Sequence, residues 1–311
     1  MAALTRCEVV PLPDHQVSFQ VDGQEVTCWH FGPQAPRPYF YPIRGPRSGA
    51  SLTRMGHPGA PNHDHHRSVW FAHQQLLGID FWSDQTEARI RQQEWLVYQD
   101  GDAEAAMAVK LGWYDGHDPQ PLLDQELIAI LRPLENDEYT LDLHSTFVPR
   151  AEQIEFQQTN YGFLAVRMAK SISVHFGDGK ITGSEGTTGE DDLFGQPSAW
   201  IDYSGMVAVT GNSDRSLLTE GITYFDHPRN VSYPSKWHVR EDGWMGASAC
   251  RDQAIITTRE DPLRLRYRLH IHHGPADLVR AGEIARNWAD EPDYRTVRST
   301  EPHQSLQIER I

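Results

Sequence analysis

The sequence predicts an all-β protein, a large antiparallel β-sandwich with one helix near the C-terminus, and three observations carry that expectation. Apolar residues alternate with period two in many short segments, Gly/Asn/Asp clusters separate those segments, and only one stretch has helical periodicity. In YTLDLHSTFV, Tyr139, Leu141, Leu143, Ser145 and Phe147 share one face, and in LRLRYRLHI the residues Leu263, Leu265, Tyr267, Leu269 and Ile271 do the same. Both read as half-buried antiparallel strands. EVTCWHF, EWLVYQ, AMAVKLGWY, QELIAIL, SISVHF, GMVAVT and AIITT are further strand candidates, with DGDAE, LENDE and FGDGK as turns. Many short strands with no helices between them argue against a parallel βαβ sheet and for a sandwich. After Gly274-Pro275, ADLVRAGEIARNWAD puts Leu278, Ala281, Ile284, Ala285 and Trp288 on one stripe, predicting a helix over Ala276–Asp290 that packs on a sheet. A chain of 311 residues suits one sandwich domain over 1–311, with polar, loosely held ends at about 1–15 and 292–311.

Composition narrows the partners. The formal charge of −15, from 43 acidic and 28 basic residues, repels phosphate backbones, so nucleic acid is not an expected partner. No run approaches the roughly 20 apolar residues of a membrane span, and the N-terminus lacks the apolar core of a signal peptide. A cytoplasmic protein with no membrane partner is expected, and the sequence sets no oligomeric state. Cys7, Cys28 and Cys250 are odd in number and widely spaced, which predicts buried free thiols.

The stretch Asn62–Trp82, NHDHHRSVWFAHQQLLGIDFW, concentrates four of the 16 histidines beside Arg67, Trp70, Asp80 and Trp82. Imidazole is both the usual metal ligand and the side chain best matched to proton transfer near neutral pH, so His63, His65, His66 and His73 point to one of those chemistries. His-x-His on a strand aims two rings alike, whereas adjacent His65 and His66 would diverge; only a loop lets all three converge. Ahead of them a long Pro/Gly/Arg-rich segment carries Arg37, Arg44 and Arg54. A second group, FDHPRNVSYPSKWHVREDG, repeats the pattern of strand, His-Pro turn and strand, and holds Asp226, His227, Asn230, Tyr233, Trp237, His238 and Arg240. Alternation sets His238 and Arg240 on one face with Trp237 opposite. The shared pattern predicts that both groups meet at one rim of the sandwich. Between them lie Glu126, Glu185, Trp200, Asp202 and Tyr203, where a carboxylate opposite an imidazole would complete an acid/base pair, while Glu190-Asp191-Asp192 reads as a solvated loop. Nucleophile elbow, HExxH, GxGxxG and P-loop motifs are absent.

RPYFYPIRGP, DHHRSVWFAH with GIDFW, GQPSAWIDYSG, FDHPRN with WHVREDG, and LRYRLHIHHG together resemble the PmoA-like family of bacterial proteins, labelled methane oxygenase, over about Arg37 to Gly274. The resemblance implies a β-sandwich connected with carbohydrate catabolism, and places His65, His66, Arg67, Trp70, His227, Asn230, Trp237, His238 and Arg240 at shared motif positions. It departs at Asn160-Tyr161-Gly162, where that family more often has Lys-Glu-Gly. Lacking a membrane span, the chain does not suit the oxygenase activity of the label. At fold level the pattern also resembles galactose-mutarotase-like supersandwiches, which act on sugar rings with His and Glu or Asp.

The expectation is an enzyme doing acid/base chemistry on a sugar or glycoside: hydrolysis, elimination or epimerisation. His66 and His238, with Glu126 or Glu185, would be catalytic; Arg67, Trp70, His73, Tyr203, His227, Asn230, Trp237 and Arg240 would bind substrate. No cofactor is required on this reading. Two alternatives stand beside it, a divalent metal such as Zn or Mn on His63, His65, His66 and His238, and a non-catalytic carbohydrate-binding protein.

Overall fold

The computed structural model describes residues 5–57, 63–211 and 216–311, and among them the backbone forms twenty strands and two α-helices. In chain order the first strands are β1 (Cys7–Leu12), β2 (Gln16–Val21), β3 (Gln24–His30), β4 (Tyr39–Ile43), β5 (Val69–His73), β6 (Arg89–Gln99) and β7 (Ala105–Tyr114). Then come β8 (Leu123–Pro133), β9 (Tyr139–Pro149), β10 (Gln153–Phe156), β11 (Gly162–Arg167), β12 (Lys180–Gly183), the one-turn helix α1 (Glu190–Leu193), β13 (Trp200–Ala208) and β14 (Leu217–Asp226). The chain closes with β15 (Trp237–Arg240), β16 (Trp244–Ala247), β17 (Ile255–Thr258), β18 (Leu263–His273), α2 (Leu278–Ala289), β19 (Tyr294–Arg298) and β20 (Leu306–Arg310).

Two eight-stranded antiparallel sheets make a large β-sandwich. Their strand orders are β1-β2-β3-β4-β5-β11-β16-β15 and β12-β13-β14-β18-β9-β8-β7-β6, and β10/β17 and β19/β20 form two small additional sheets. The apolar faces expected from alternation meet between the large sheets. Leu141, Leu143 and Phe147 of β9 and Leu265, Tyr267 and Leu269 of β18 share one buried cluster with Phe71, Leu164, Val166, Trp237 and Met245 of the other sheet. Burying each such large side chain contributes about 1.5–3 kcal/mol. The Tyr224 ring meets Trp237 edge-on at 4.8 Å and its hydroxyl donates to the Leu164 carbonyl at 3.2 Å, so the contact between sheets is polar as well as apolar.

Three expectations need correction. The outward faces of β9 and β18 are not solvated: Asp142, His144, Arg266, Arg268, His270 and His272 are buried there. The reason is the cover supplied by α2 and its flanks. Arg268 donates to both Asp142 oxygens at 2.6 and 2.7 Å, and the Trp288 ring of α2 lies 5.0 Å from its guanidinium. Second, residues 294–310 are not a loose end. They form the β19/β20 hairpin, whose Tyr294 and Ile308 pack with Val97, Ala106 and Ile130. At the other end β1 is paired with β2 in the first sheet, and residues 1–4 lie outside the described chain. Third, SISVHF is a chain of turns, because Ser173 accepts from Phe176 N at 3.2 Å and donates to the Lys170 carbonyl at 2.8 Å, closing local loops where a strand would need a neighbour.

The predicted helix is present as α2, with Asp277 capping it by accepting from Val279 N and Arg280 N, both at 3.0 Å. The three cysteines are buried free thiols. Among the described residues no helix is long and apolar enough to cross a membrane.

Candidate functional site

Four neighbouring strands build the site floor on the outer face of the first sheet. Alternation turns Trp70 and Ala72 of β5, Ala165 and Arg167 of β11, His238 and Arg240 of β15, and Trp244 of β16 away from the core. Register then sets Ala165 beside Trp70 and Gly246, His238 beside Gly246, and Trp244 between Arg167 and Arg240. The β15–β16 connection is a tight turn, with Gly243 at φ +98°, a conformation a side chain would strain, and it swings Asp242 over the floor. Segments 54–56 and 66–68 fold beside β11, tied by Arg54 N to Arg167 O at 3.0 Å, Ser68 N to Arg54 O at 3.0 Å and Arg167 N to Ser68 O at 2.7 Å.

These elements enclose a cavity of about 550 Å³ lined by His63, His65, His66, Gln74, Asp80, Trp82, Ser83, Tyr161, Arg167, His238, Arg240, Asp242 and Trp244. The two histidine-bearing segments therefore converge. Trp70, Trp82 and Trp244 pack with centroids 5.4–5.6 Å apart, and the Trp244 ring lies 4.7 Å from His66 and 6.0 Å from His238. Arg167, fully buried, donates to Asp242 at 2.9 and 3.3 Å, and His57 Nε2 reaches the same carboxylate at 3.2 Å.

Electrostatics follow from burial. His66 is held far below its ordinary value by desolvation and then by neighbouring His65 and Arg167. His238 is lowered to about 4, again by burial first and by Arg240 and Arg251 second. Both rings are neutral near pH 7. Burial would raise the Asp242 carboxyl, but the Arg167 guanidinium outweighs it and holds the group low, hence ionised. Among the described residues several buried atoms here have no hydrogen-bond partner: the indole nitrogens of Trp70, Trp82 and Trp244, Nδ1 of His63, His66 and His238, and Nε of Arg54 and Arg167. Buried polar atoms are normally paired, so their concentration beside this cavity makes it the candidate binding site.

The remaining expected residues fall elsewhere. Glu126 sits on β8 of the opposite sheet, accepting from Thr296 Oγ1 at 3.1 Å, and Glu185 is exposed in the turn after β12; neither reaches the histidines, because strand order carried them to another part of the molecule. His73 is a core ring between Phe156 and Phe163 that accepts from Gln75 N at 3.1 Å, and Trp237 is core, donating to the Ser198 carbonyl at 2.8 Å. His227 is buried against Trp288, 4.6 Å away, and Asn230 bridges Asp226 and the Arg266 backbone. Tyr203 donates to the Glu241 carbonyl at 2.9 Å and so supports the turn bearing Asp242 from behind. Arg67 pairs with Asp84, and Trp70 backs the aromatic wall. Glu190 is no free loop acid: it opens α1, holds Arg240 at 2.9 Å and accepts from Glu241 N at 2.6 Å.

Asp242, Trp244, Arg167, Tyr161 and His57 were not singled out as site residues from sequence. The signal for two of them lay in REDGW: a tight Asp-Gly turn after the His238/Arg240 strand returns Trp244 to the same face. His63, His65 and His66 do share the cavity, through a turn and not a strand, with ring centroids 4.4–6.0 Å apart. Among the described residues no group of three or more His, Cys, Asp or Glu side chains has the geometry to hold a metal ion. Residues 58–62, which precede His63, lie outside the described residues.

Fold and site thus define a β-sandwich protein with a histidine- and tryptophan-lined cavity on one sheet. The chain belongs to DUF6807, a family of unknown function, whose model matches residues 16–289. That match corrects the PmoA-like assignment expected from the motifs. No curated protein matches the sequence. Among solved structures, a GalM/aldose epimerase homologue from C. elegans is similar over 87% of this chain and 99% of its own, at 6% identity and a TM-score of 0.33. A likeness of that degree carries no argument about substrate, and the chemistry is read from the cavity itself.

Proposed function

We propose that the cavity binds a sugar or glycoside and does acid/base chemistry on it. The observation that supports this most directly is the placement of two buried, neutral imidazoles, His66 and His238, beside one tryptophan ring, Trp244, within a cavity of about 550 Å³. That volume falls in the range of small-molecule sites, and apolar faces of sugar rings stack on indoles while their hydroxyls answer the unpaired ring nitrogens and guanidinium donors. A neutral imidazole accepts a proton, either from a hydroxyl or from a carbon beside a carbonyl, a role that suits His238, lowered to about 4, better than His66, which burial holds far lower and leaves to hydrogen-bond the ligand, while the ionised Asp242–Arg167 pair fixes its polar end. Incubation with a panel of glycosides and 3-keto-glycosides, followed by NMR of the products, tests the reading. Turnover that falls in both His66→Gln and His238→Gln supports it; a panel left untouched, or turnover undiminished in both variants, overturns it.

One observation favours a second reading. His57, His63, His65 and His66 form a chain of rings 4.4–5.5 Å from centroid to centroid, and burial lowers His63 and His66, which favours the neutral form a metal ligand must have; as they stand they make no metal-holding group, so this reading requires the rings to draw together around the ion. Chelator-sensitive activity restored by Zn²⁺ or Mn²⁺ would select the metal-dependent reading.

A further inference from the structure

A second cavity, also about 550 Å³, opens on the outer face of the other sheet where β18 turns into α2, and Thr223, His270, His272, Gly274, Pro275 and Arg280 are among its walls. It lies away from the histidine-rich cavity, on the opposite sheet. Behind those walls stand two carboxylate–imidazole pairs. His270 Nε2 meets Glu138 Oε2 at 2.8 Å, His272 Nε2 meets Asp202 Oδ2 at 2.6 Å, and the two rings are 5.3 Å apart. Thr223 donates to the same Asp202 oxygen at 2.8 Å, and Arg280 of α2 closes on Glu138 at 2.6 Å. All four paired groups are buried, with Asp202 at 0% exposure.

Two details point beyond a structural role. The other Asp202 oxygen, Oδ1, is buried without a hydrogen-bond partner among the described residues, an uncommon cost for a carboxylate. Gly221 also keeps room for the dyad, since a Cβ there would come within 2.9 Å of the His272 ring and 2.6 Å of Ser204 Cβ. A sheet face that served only to seat α2 would be as stable with apolar residues, because buried ion pairs seldom outperform well-packed hydrophobic ones. The helix already has its apolar seat in Ala281 and Trp288.

The charge pattern selects the ligand class. Glu138 and Asp202 behind the walls and Asp277 among them balance or outweigh Arg280 and the two imidazoles, which disfavours an oxyanion, while a threonine hydroxyl and two imidazoles in the walls suit a neutral hydroxylated ligand. We propose that this cavity is a second binding site, for a small neutral polyhydroxylated molecule held by Thr223, His270 and His272, which Asp202 and Glu138 orient from behind. It stands independently of the reading given to the first cavity.

The test titrates the full chain with D-glucose, D-galactose and myo-inositol, and separately with inorganic phosphate, while NMR follows the histidine ring C–H signals. A neutral polyol is expected to move the His270 and His272 signals and leave those of His66 and His238 in place. Ala276→Trp, which fills the cavity wall, should abolish the shift, and Thr223→Val should weaken binding about three- to tenfold, as loss of one hydrogen bond does. The proposal is overturned if none of the three polyols moves those rings, if phosphate alone does, if the moving signals are those of His238, or if the shifts survive in a folded Ala276→Trp variant. Should that variant not fold, the ring signals of the unaltered protein decide the matter.

Discussion

Asp242→Asn removes the carboxylate facing Arg167 and leaves a buried guanidinium without its counter-charge. Arg167 is fully buried and its charged partner is Asp242, at 2.9 Å, whose side chain is 31% exposed. Breaking a buried ion pair by removing one partner costs about 3–5 kcal/mol, because the survivor's charge is left uncompensated. Partial exposure of Asp242 and the ability of an amide oxygen to accept one of the two hydrogen bonds reduce that to about 2–3 kcal/mol. With an unfolding entropy of about 2.1 cal/mol/K per residue, the melting temperature should fall by about 3–5 °C. Urea denaturation of the variant, of Arg167→Met and of the double variant gives the cycle. The double variant should be more stable than the sum of the single losses predicts, because removing the guanidinium removes the unpaired charge. The carboxyl is depressed in the folded state, so its contribution is present above the ordinary carboxylate range and fades as pH falls through the depressed value; the difference between variant and parent should shrink in acid. A loss under about 0.5 kcal/mol at neutral pH, or strict additivity in the cycle, would refute the argument that this pair anchors the cavity.

Other expected outcomes follow from the same geometry. His238→Gln should lower turnover of any active glycoside by about 10²–10⁴-fold with the circular dichroism unchanged, and chelators should have no effect if the ring only moves protons. Burial lowers His238 to about 4 and His73 and His227 to about 3, so the unfolded chain takes up protons at these sites before the native one does; stability measured by urea should decline as pH drops from about 6.5 towards 4. A flat profile across that window would count against neutral buried rings. Trp244→Ala, at a 3% exposed ring touching both site histidines, should cost about 3–5 kcal/mol and abolish ligand-induced quenching of tryptophan fluorescence. Glu126→Gln and Glu185→Gln, both outside the histidine-lined cavity, should leave turnover on that panel within about twofold; a large loss would reopen the choice of carboxylate.

Much of this architecture was legible as pattern. Period two in β9 and β18 marked which residues face the core, and the 3.6-residue stripe after Gly274-Pro275 marked α2, because both are local consequences of backbone geometry. The shared pattern of two distant His-bearing segments also anticipated a common cavity. What pattern cannot carry is the partner of each face. The polar sides of β9 and β18 look solvated in sequence, yet α2 and the β19/β20 hairpin bury them, turning Asp142–Arg268, Glu138–His270 and Asp202–His272 into interior pairs. The choice of carboxylate depended on strand order, which sent Glu126 to the far sheet and brought Asp242 over Arg167 through a turn of a few residues. Residues alone determined the all-β sandwich, the single long helix and the pool of imidazoles. Only the tertiary structure decided which imidazoles are core, which line a cavity and which carboxylate each one meets, because those are contacts between strands that lie far apart along the chain, set by sheet order and register.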